Sequence, residues 1–513
     1  MATFKKARTK FERDQMKRMT AVGEVGSRYA RIWMRSDLPG EVGVTVRPKG
    51  STKIKKEYPL LVSDTSTDLT QTIRIDGLEP RTKYRYEVRR VAGDKLIGKG
   101  RFETYPFDED DTPDKVSVAL MSCHQPFNDD NEYSSRRARL LTLLPQVLKD
   151  HDVKFILLAG DQIYSDVPAD RSLFYRHYTE MWKYPAGESI LDWGSTGVRA
   201  AYQERYRIFW ARKEVQNFYA NYPCYPILDD HEIVDDWGAK EVHATNKFRQ
   251  IRQGAREAYF DYQGSRVTKR KKNLPPSFHY SFGYGNIGIF VLDLRSQRKA
   301  GPKGQLFSAA QLNDFETFLK SNERKNVLLI MASVPVVHLP EWLSDVGASM
   351  AGHAIDFPDH WSYKKNRPDR DRFLRLIYRH QVANPRQKVI LVSGDVHIGC
   401  AFKIAWKGPR KQPVLYQFTS SAISNRMKKV QTEISKSPLK LTKEMELSGG
   451  LKADTRLLAP IKDGENPFGG LNVGLIDIQN MGDESDVTLR LVGYEEKAES
   501  QYTYADFFVS ETL

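Results

Sequence analysis

The stretch LLAGDQIYSD, Leu157 to Asp166, decides how the rest of the chain is read. An apolar run stops at Gly160, and Asp161 and Tyr164 follow at once. Such a run ending in glycine reads as a strand entering a tight turn. A lone aspartate at that point is most simply a cap or a turn residue. Two oxygen donors so close together are also what a metal ion needs. One motif does not separate these readings, so recurrence elsewhere in the chain is what matters.

The pattern recurs at the ends of other apolar runs. VALMSCHQ ends in Ser122, Cys123 and His124, and YPILDDHE in Asp229, Asp230, His231 and Glu232. GIFVLDLRS supplies Asp293 and Arg295, and ILVSGDVHIG supplies Gly394, Asp395 and His397. In open α/β sheets, loops at the carboxyl ends of strands gather in one crevice. These segments are therefore expected to bring cysteine, aspartate, tyrosine and histidine together. Asp395 and His397, two apart, point the same way if their backbone is extended. Carboxylate, phenolate and thiolate are anionic donors, and imidazole is a neutral one whose second nitrogen is often fixed by a neighbour. Oxygen donors suit calcium, magnesium, manganese or iron, whereas a thiolate with two histidines favours a transition metal. Tyrosine binds a metal readily only as phenolate, against an ordinary pKa of about 10. A strongly Lewis-acidic ion such as ferric iron sustains that form. Asp166 is tied to the set by nothing beyond proximity.

The chain has 513 residues, too many for one ordinary core, so two or three domains are expected. RIWMRS, EVGVTVRP, TQTIRI, KYRYEVRRV and KGRFETY are short and strand-like. In KYRYEVRR, Tyr84, Tyr86 and Val88 alternate with charged residues, as a half-buried strand should. LEPRTKYRYEV resembles a late strand of fibronectin type III domains through Leu78, Pro80, Thr82, Tyr84 and Tyr86, where tyrosines tie a sandwich corner. The reading is an N-terminal extension over 1–15, a fibronectin/Ig-like β-sandwich over 16–105, and an acidic, proline-bearing linker over 106–115. A larger domain, the C-terminal β segments included, follows over 116–513.

In that larger part, strands alternate with helical patterns, which argues for a layered α/β domain. RLLTLLPQVLKD carries Leu140, Leu143, Leu144, Val147 and Leu148 at helical spacing, with Pro145 interrupting it. SAAQLNDFETFLKS presents Leu312, Phe315, Phe318 and Leu319 as one stripe behind a Ser308 cap. VLYQFTSS, LNVGLIDIQ and VTLRLVGY return to strand patterning and are assigned to the edge of the large domain. A separate lobe is the alternative.

The formal net charge is +14, which draws either nucleic acid or small anionic substrates. The positive blocks, Lys5-Lys6, Lys269 to Lys272 and Lys428-Lys429, are scattered, so nucleic acid is not the expected partner. Three cysteines exclude a disulfide scaffold. No window approaches the length of a membrane span. MATFKKARTKFERD lacks the apolar stretch of a secretory signal, so the chain as numbered reads as cytoplasmic. A leader removed beforehand would make it extracytoplasmic.

Gly160-Asp161-x-x-Tyr164, Asp229-Asp230-His231-Glu232 and Ser393-Gly394-Asp395-Val396-His397, in that order, closely resemble the PhoD-like alkaline phosphatases of the calcineurin-like metallophosphoesterase superfamily. ARIWMR and YRIFWARKEVQNFYANYPCYPILDDHE extend the resemblance over nearly the whole chain. It implies a layered metallophosphoesterase-like β-sandwich core flanked by helices, behind a small β-sandwich. It also implies hydrolysis of small-molecule phosphate esters at a binuclear centre, with a metal-bridging hydroxide as nucleophile. Asp161 would bridge the ions. Cys123 and Tyr164 would bind an Fe(3+)-like ion, and Asp230, Asp395 and His397 would complete the cluster around that ion and Ca(2+). Mn(2+), Mg(2+) and Zn(2+) are alternatives. His231 would face the leaving group.

The family's second motif usually continues to an asparagine pair, where this chain has Asp235 and Asp236. Either aspartate still offers an oxygen to a calcium-like ion. Their added negative charge bears on metal preference and on repulsion of a dianionic substrate. Arg207 and Arg295 are candidate phosphate anchors, because guanidinium matches phosphate bidentately. The plain alternatives are a helix-surface arginine for Arg207 and a salt bridge with Asp293 for Arg295. His353, Asp356, His360 and Trp361 form either a pocket lid or an ordinary surface loop. The competing functional readings are a non-catalytic metal- or partner-binding protein and a nucleic-acid phosphoesterase with Lys269 to Lys272 beside the metal cleft. Mono- or diester preference stays open.

Overall fold

Apolar runs dense in Val, Ile and Leu become parallel strands here, because such strands are covered on both faces. The structure, a computed structural model, describes residues 15–513 other than 53–55, 129–131, 168–171, 176–188, 270–272, 300–303, 351–356, 409–411 and 497–500. The N-terminal extension therefore lies almost wholly outside the described residues. So do His353, Asp356 and three of the four residues of the Lys269 to Lys272 run.

Mixed α/β architecture is built on four sheets among the described residues. The N-terminal part pairs Met19–Val25, Tyr29–Arg35 and Thr70–Asp76 in one sheet. A second, four-stranded sheet orders Lys56–Ser63, Gly40–Pro48, Lys83–Arg90 and Lys95–Glu103. Tyr84, Tyr86 and Val88 face inward, as their alternation requires. Tyr84 accepts a hydrogen bond from the Glu79 amide at 3.0 Å, closing a local corner. Tyr86 does something else: its hydroxyl donates to the Ala220 carbonyl at 3.0 Å, far along the chain. Trp33 likewise donates from Nε1 to the Asp261 carbonyl at 2.7 Å.

The remaining two sheets carry the candidate site. One runs Cys224–Ile227, Val153–Ala159, Lys115–Met121, Val473–Asn480, Ser485–Glu496 and Tyr502–Val509 in spatial order. The other runs Tyr280–Tyr284, Ile287–Val291, Val327–Met331, Lys388–Ser393, Val414–Thr419, Cys400–Trp406, Leu451–Leu457 and Glu444–Leu447. Cys224–Ile227, Val153–Ala159 and Lys115–Met121 are mutually parallel, as are the four strands from Ile287–Val291 to Val414–Thr419. Side chains alternate across the eight-stranded sheet. Ile289, Leu329 and Ile390 join the hydrophobic cluster that also holds Val118, Leu120 and Leu475 of the six-stranded sheet. Phe290, Leu328, Ile330 and Leu391 pack instead with Phe315, Phe373 and Ile377 from the helices Ala309–Ser321 and Arg367–Ala383.

Two local expectations need correction. The late strands are not confined to the margin: Val414–Thr419 and Val473–Asn480 occupy interior positions of their sheets. Their apolar runs are covered on both faces, which strand patterning alone does not distinguish from an edge. In the helix Arg139–Asp150, Pro145 sits inside without ending it, and the inward face uses Leu141 rather than Leu143. The Ser308 cap is present, accepting from the Gln311 amide at 3.2 Å. None of the described helices is long and apolar enough to cross a membrane.

Candidate metal centre

The carboxyl ends of the parallel strands converge, and the motif residues converge with them. Lys115–Met121 leads to Cys123, Val153–Ala159 to Asp161 and Tyr164, Cys224–Ile227 to Asp229, Asp230 and His231, and Lys388–Ser393 to Asp395 and His397. The turns are unusually tight. Cys123, Asp161, Asp236, Asp395 and His397 all have positive φ, between 55° and 67°. That conformation is costly for residues with a Cβ and clusters at functional sites. Asp395 and His397 therefore do not lie on extended backbone, contrary to the expectation from their spacing. Successive three-residue turns, His397 to Asp395 and Val396 to Gly394, each close at 2.9 Å and aim the side chains instead. Gly160 has φ +87°, and a Cβ there would meet the Asp229 Cβ at 2.4 Å. Glycine is what allows these two strand ends to touch.

Cys123, Asp161 and His397 place one donor atom each within 4.8 Å of one another. The same holds for Asp161, Asp230 and His231, for Asp161, Asp229, Asp230 and Asp395, and for Asp230, Asp235 and Asp236. Asp161 recurs in three of these sets. Its Oδ2 accepts from the Tyr164 hydroxyl at 3.2 Å and lies 3.4 Å from the Cys123 sulfur, while Oδ1 is buried without a partner. Asp229 Oδ2 is orphaned in the same way. Tyr164 also lies 3.2 Å from His397 Nε2, and Asn425 Nδ2 reaches both, at 3.0 and 3.1 Å.

Burial and mutual repulsion dominate the electrostatics. Burial, then the neighbouring Asp230, Asp229 and Glu232, push the Asp161 carboxyl well above its ordinary range, against an opposing pull from His231. Asp395 is raised by burial and by Asp229 and Asp230, and Asp230 rises to about 7, chiefly from burial. Burial and the Asp161 carboxylate likewise raise the Cys123 thiol and the Tyr164 phenol. A set of acids that repel one another, with buried oxygens left unpaired, is a cavity suited to cations. The soft and nitrogen donors gather at Cys123 and His397, beside Tyr164, and two all-carboxylate sets, Asp161 with Asp229, Asp230 and Asp395, and Asp230 with Asp235 and Asp236, lie next to them.

The chain agrees with the PhoD-like phosphatase family model over residues 119–452, well over half its length. The chain belongs to the PhoD-like phosphatase family. A solved structure described as that of PhoD is similar in fold, with a TM-score of 0.66 and 15% identity, covering 95% of this chain and 88% of that one. Shorter likenesses are to a myokine structure (TM-score 0.15, 15% identity, 18% of this chain and 97% of that one) and to the FN5 domain of Drosophila Lar. The latter has a TM-score of 0.14 and 14% identity, covering 18% of this chain and 96% of that one. Likenesses of that extent carry no argument. No curated protein matches the chain significantly.

The candidate site includes residues to which the sequence reading gave no role. Asp166 is the first. Its carboxylate lies 2.7 Å from His231 Nδ1 and also accepts the Asp235 amide. Burial opposes the charged form of Asp166, but the His231 imidazole beside it overrides that and holds the carboxyl below the ordinary range. Asn425 is the second. It follows the strand Val414–Thr419, and reading that strand's end as the others were read would have found it. Glu232 is the third: its carboxylate accepts the amides of Asp161, Gln162 and Asp229 at 2.7–2.9 Å, clasping two strand ends together.

Both arginines are elsewhere occupied. Arg207 pairs with Asp68 and donates from Nε to Gln15 at 3.0 Å, so it fastens the N-terminal sheets and does not anchor phosphate. Arg295 is fully buried and pairs with Asp229. It also grips Asp359 through two bonds of 2.6 and 2.8 Å, leaving no fork for a phosphate. Nor is its guanidinium paired with Asp293, whose carboxylate instead accepts the Arg295 and Ser296 amides at 3.0 and 2.8 Å. Asp235 and Asp236 both meet Lys240, at 2.8 and 2.9 Å, which offsets part of the charge they add. His360 and Trp361 are buried rather than on a surface loop. His360 stacks on His338 with centroids 5.0 Å apart, and both line a cleft of about 280 Å³ with Asp161, Asp230, His231 and Asp395. Lys269 lines a different cleft, with Arg31 and Asp261.

Proposed function

We propose that this PhoD-like protein is a metal-dependent phosphoesterase acting on small phosphate monoesters or diesters at a binuclear centre. The observation that carries this is the carboxylate knot of Asp161, Asp229, Asp230 and Asp395, with two buried oxygens unpaired, opening into a cleft. Cys123, Tyr164 and His397 would hold a ferric-type ion. Asp230 with Asp235 or Asp236 would hold a harder, calcium-type ion, and Asp161 would be shared. Two such ions supply Lewis acidity toward phosphoryl oxygens and acidify water.

The chain's own residues have separable tasks in this reading. Asp166 holds His231 through Nδ1, leaving Nε2 to donate to the departing oxygen. Asn425 orients Tyr164 and His397. Arg295 offsets the negative charge of Asp229 and Asp359 so that the acids can coexist. The first sheets form a fibronectin/Ig-like sandwich over 16–105, joined through 106–115 to a catalytic domain over 116–513. Nothing in the placement of Lys269 favours a nucleic-acid substrate.

The test is elemental analysis of the purified protein, alongside hydrolysis of an aryl phosphomonoester and the matching diester. Bound metal near two ions per chain and turnover of at least one substrate are expected. Asp161→Asn should lower kcat by on the order of 10³-fold, with circular dichroism unchanged. Metal-free protein that stays inactive after reconstitution would refute the proposal.

A further inference from the structure

A second, larger cavity adjoins the metal cleft. It measures about 720 Å³, and Met427 lines both spaces. Its walls come from distant parts of the chain: Arg136 and Arg139 before and in the helix Arg139–Asp150, and Arg426 and Lys429 just after Asn425. Chain continuity thus runs from the residue that touches Tyr164 and His397 straight into this cavity.

The lining carries five basic side chains against three acidic ones, Glu433, Glu465 and Glu496. Among the described residues, Arg136, Arg426 and Lys429 have no ion-pair partner. Lys436, also in the wall, is already committed to Glu433 and Glu465 at 3.4 and 3.2 Å. Arg139 is held flat over Tyr502, 3.6 Å from the ring centroid, so its guanidinium is oriented without being neutralised. Glu496 is the one remaining acid of the described wall, and it accepts from the Tyr502 hydroxyl at 3.3 Å. A walled cavity with an excess of positive charge, opening beside a phosphoesterase cleft, does more than steer by net charge.

We infer that the cavity holding Arg136, Arg139, Arg426 and Lys429 is a substrate subsite for a second anionic group. The preferred substrate is then a phosphate ester whose non-scissile part carries another phosphate or carboxylate, with Met427 at the junction. This rests on the phosphoesterase reading of the adjoining cleft. It leaves the chemistry there unchanged and adds a specificity determinant.

The test uses α,ω-alkanediol bisphosphates of increasing chain length beside the matching alkyl monophosphates. The metal-loaded wild type is expected to favour a bisphosphate over its monophosphate by at least 10-fold in kcat/KM at one chain length, mainly through KM. Arg136→Gln with Arg426→Gln, both on exposed side chains, should reduce that preference below 2-fold and leave monophosphate turnover within 2-fold. Lys49→Gln with Lys95→Gln removes the same charge from the N-terminal sheets and should leave the preference intact. No preference at any length, or equal loss in both double variants, overturns the subsite. If no ester at all is turned over, the phosphoesterase reading is what fails. Calorimetric binding of the bisphosphates then decides the subsite separately: 10-fold weaker binding only in the arginine variant supports it, and equal binding in all three proteins rejects it.

Discussion

Asp166 and Arg207 exchange the roles that their sequence neighbourhoods suggested. Asp166 stands at the end of the decisive motif yet bonds no candidate metal ligand of that motif; it reaches 65 positions along the chain to His231. Arg207, placed near the second motif by sequence, faces Asp68 instead. The two substitutions therefore separate. Asp166→Asn should lower kcat on the order of 10²-fold while bound metal and KM change little, because the asparagine oxygen still accepts the Asp235 amide but its NH2 no longer accepts from His231 Nδ1. Arg207→Ala should do the reverse. It removes one of two arginines from a half-buried Asp68 that keeps Arg35 at 2.9 Å, costing about 1.5 kcal/mol in urea denaturation, with kcat/KM for an aryl phosphate unchanged.

At the scale of elements, the strand-to-turn junctions carry the site. Val153–Ala159 and Cys224–Ile227 run parallel in register, so their exits meet side by side. Gly160 is where they touch, and Glu232 ties them through three amides. Gly160→Ala puts a Cβ against Asp229 in a left-handed conformation, so a loss of about 2 kcal/mol or more is expected by chemical denaturation. Bound metal should fall with it, since Asp161 and Asp229 are displaced together. A variant as stable and as metal-rich as the wild type would show that the junction tolerates separation. These junctions were legible from sequence because each joins an apolar run to polar donors within a few residues. The interior position of Val473–Asn480 was not, because sheet order depends on pairing partners hundreds of residues apart.

For the whole molecule, buried neutral histidines set an acid limit. Burial holds His124 at about 4, and burial together with Lys240 holds His243 at about 4. In an unfolded chain both titrate near 6.5. As pH falls from about 6.5 toward 4, the unfolded state takes up these protons first. Stability is thus fully present above about 6.5 and is lost through that window, by up to about 1.4 kcal/mol per pH unit for each histidine. His243 accepts the Gly238 amide on Nδ1, a bond that protonation breaks. His243→Gln should flatten the decline in urea midpoint between pH 6.5 and 4.5. An unchanged slope would assign the acid sensitivity to other groups.

The sequence by itself determined the alternation of apolar strands, the donors at their carboxyl ends and the family motifs. Those features are local: period, turn chemistry and side-chain type are all written within about ten residues. Tertiary structure alone decided which charges meet. Arg295 went to Asp229 and Asp359, Arg207 to Asp68, Asp166 to His231, and Asn425 to Tyr164 and His397. Buried polar groups must find partners, and the nearest partner in space is set by strand order and chain crossing, which no local pattern records.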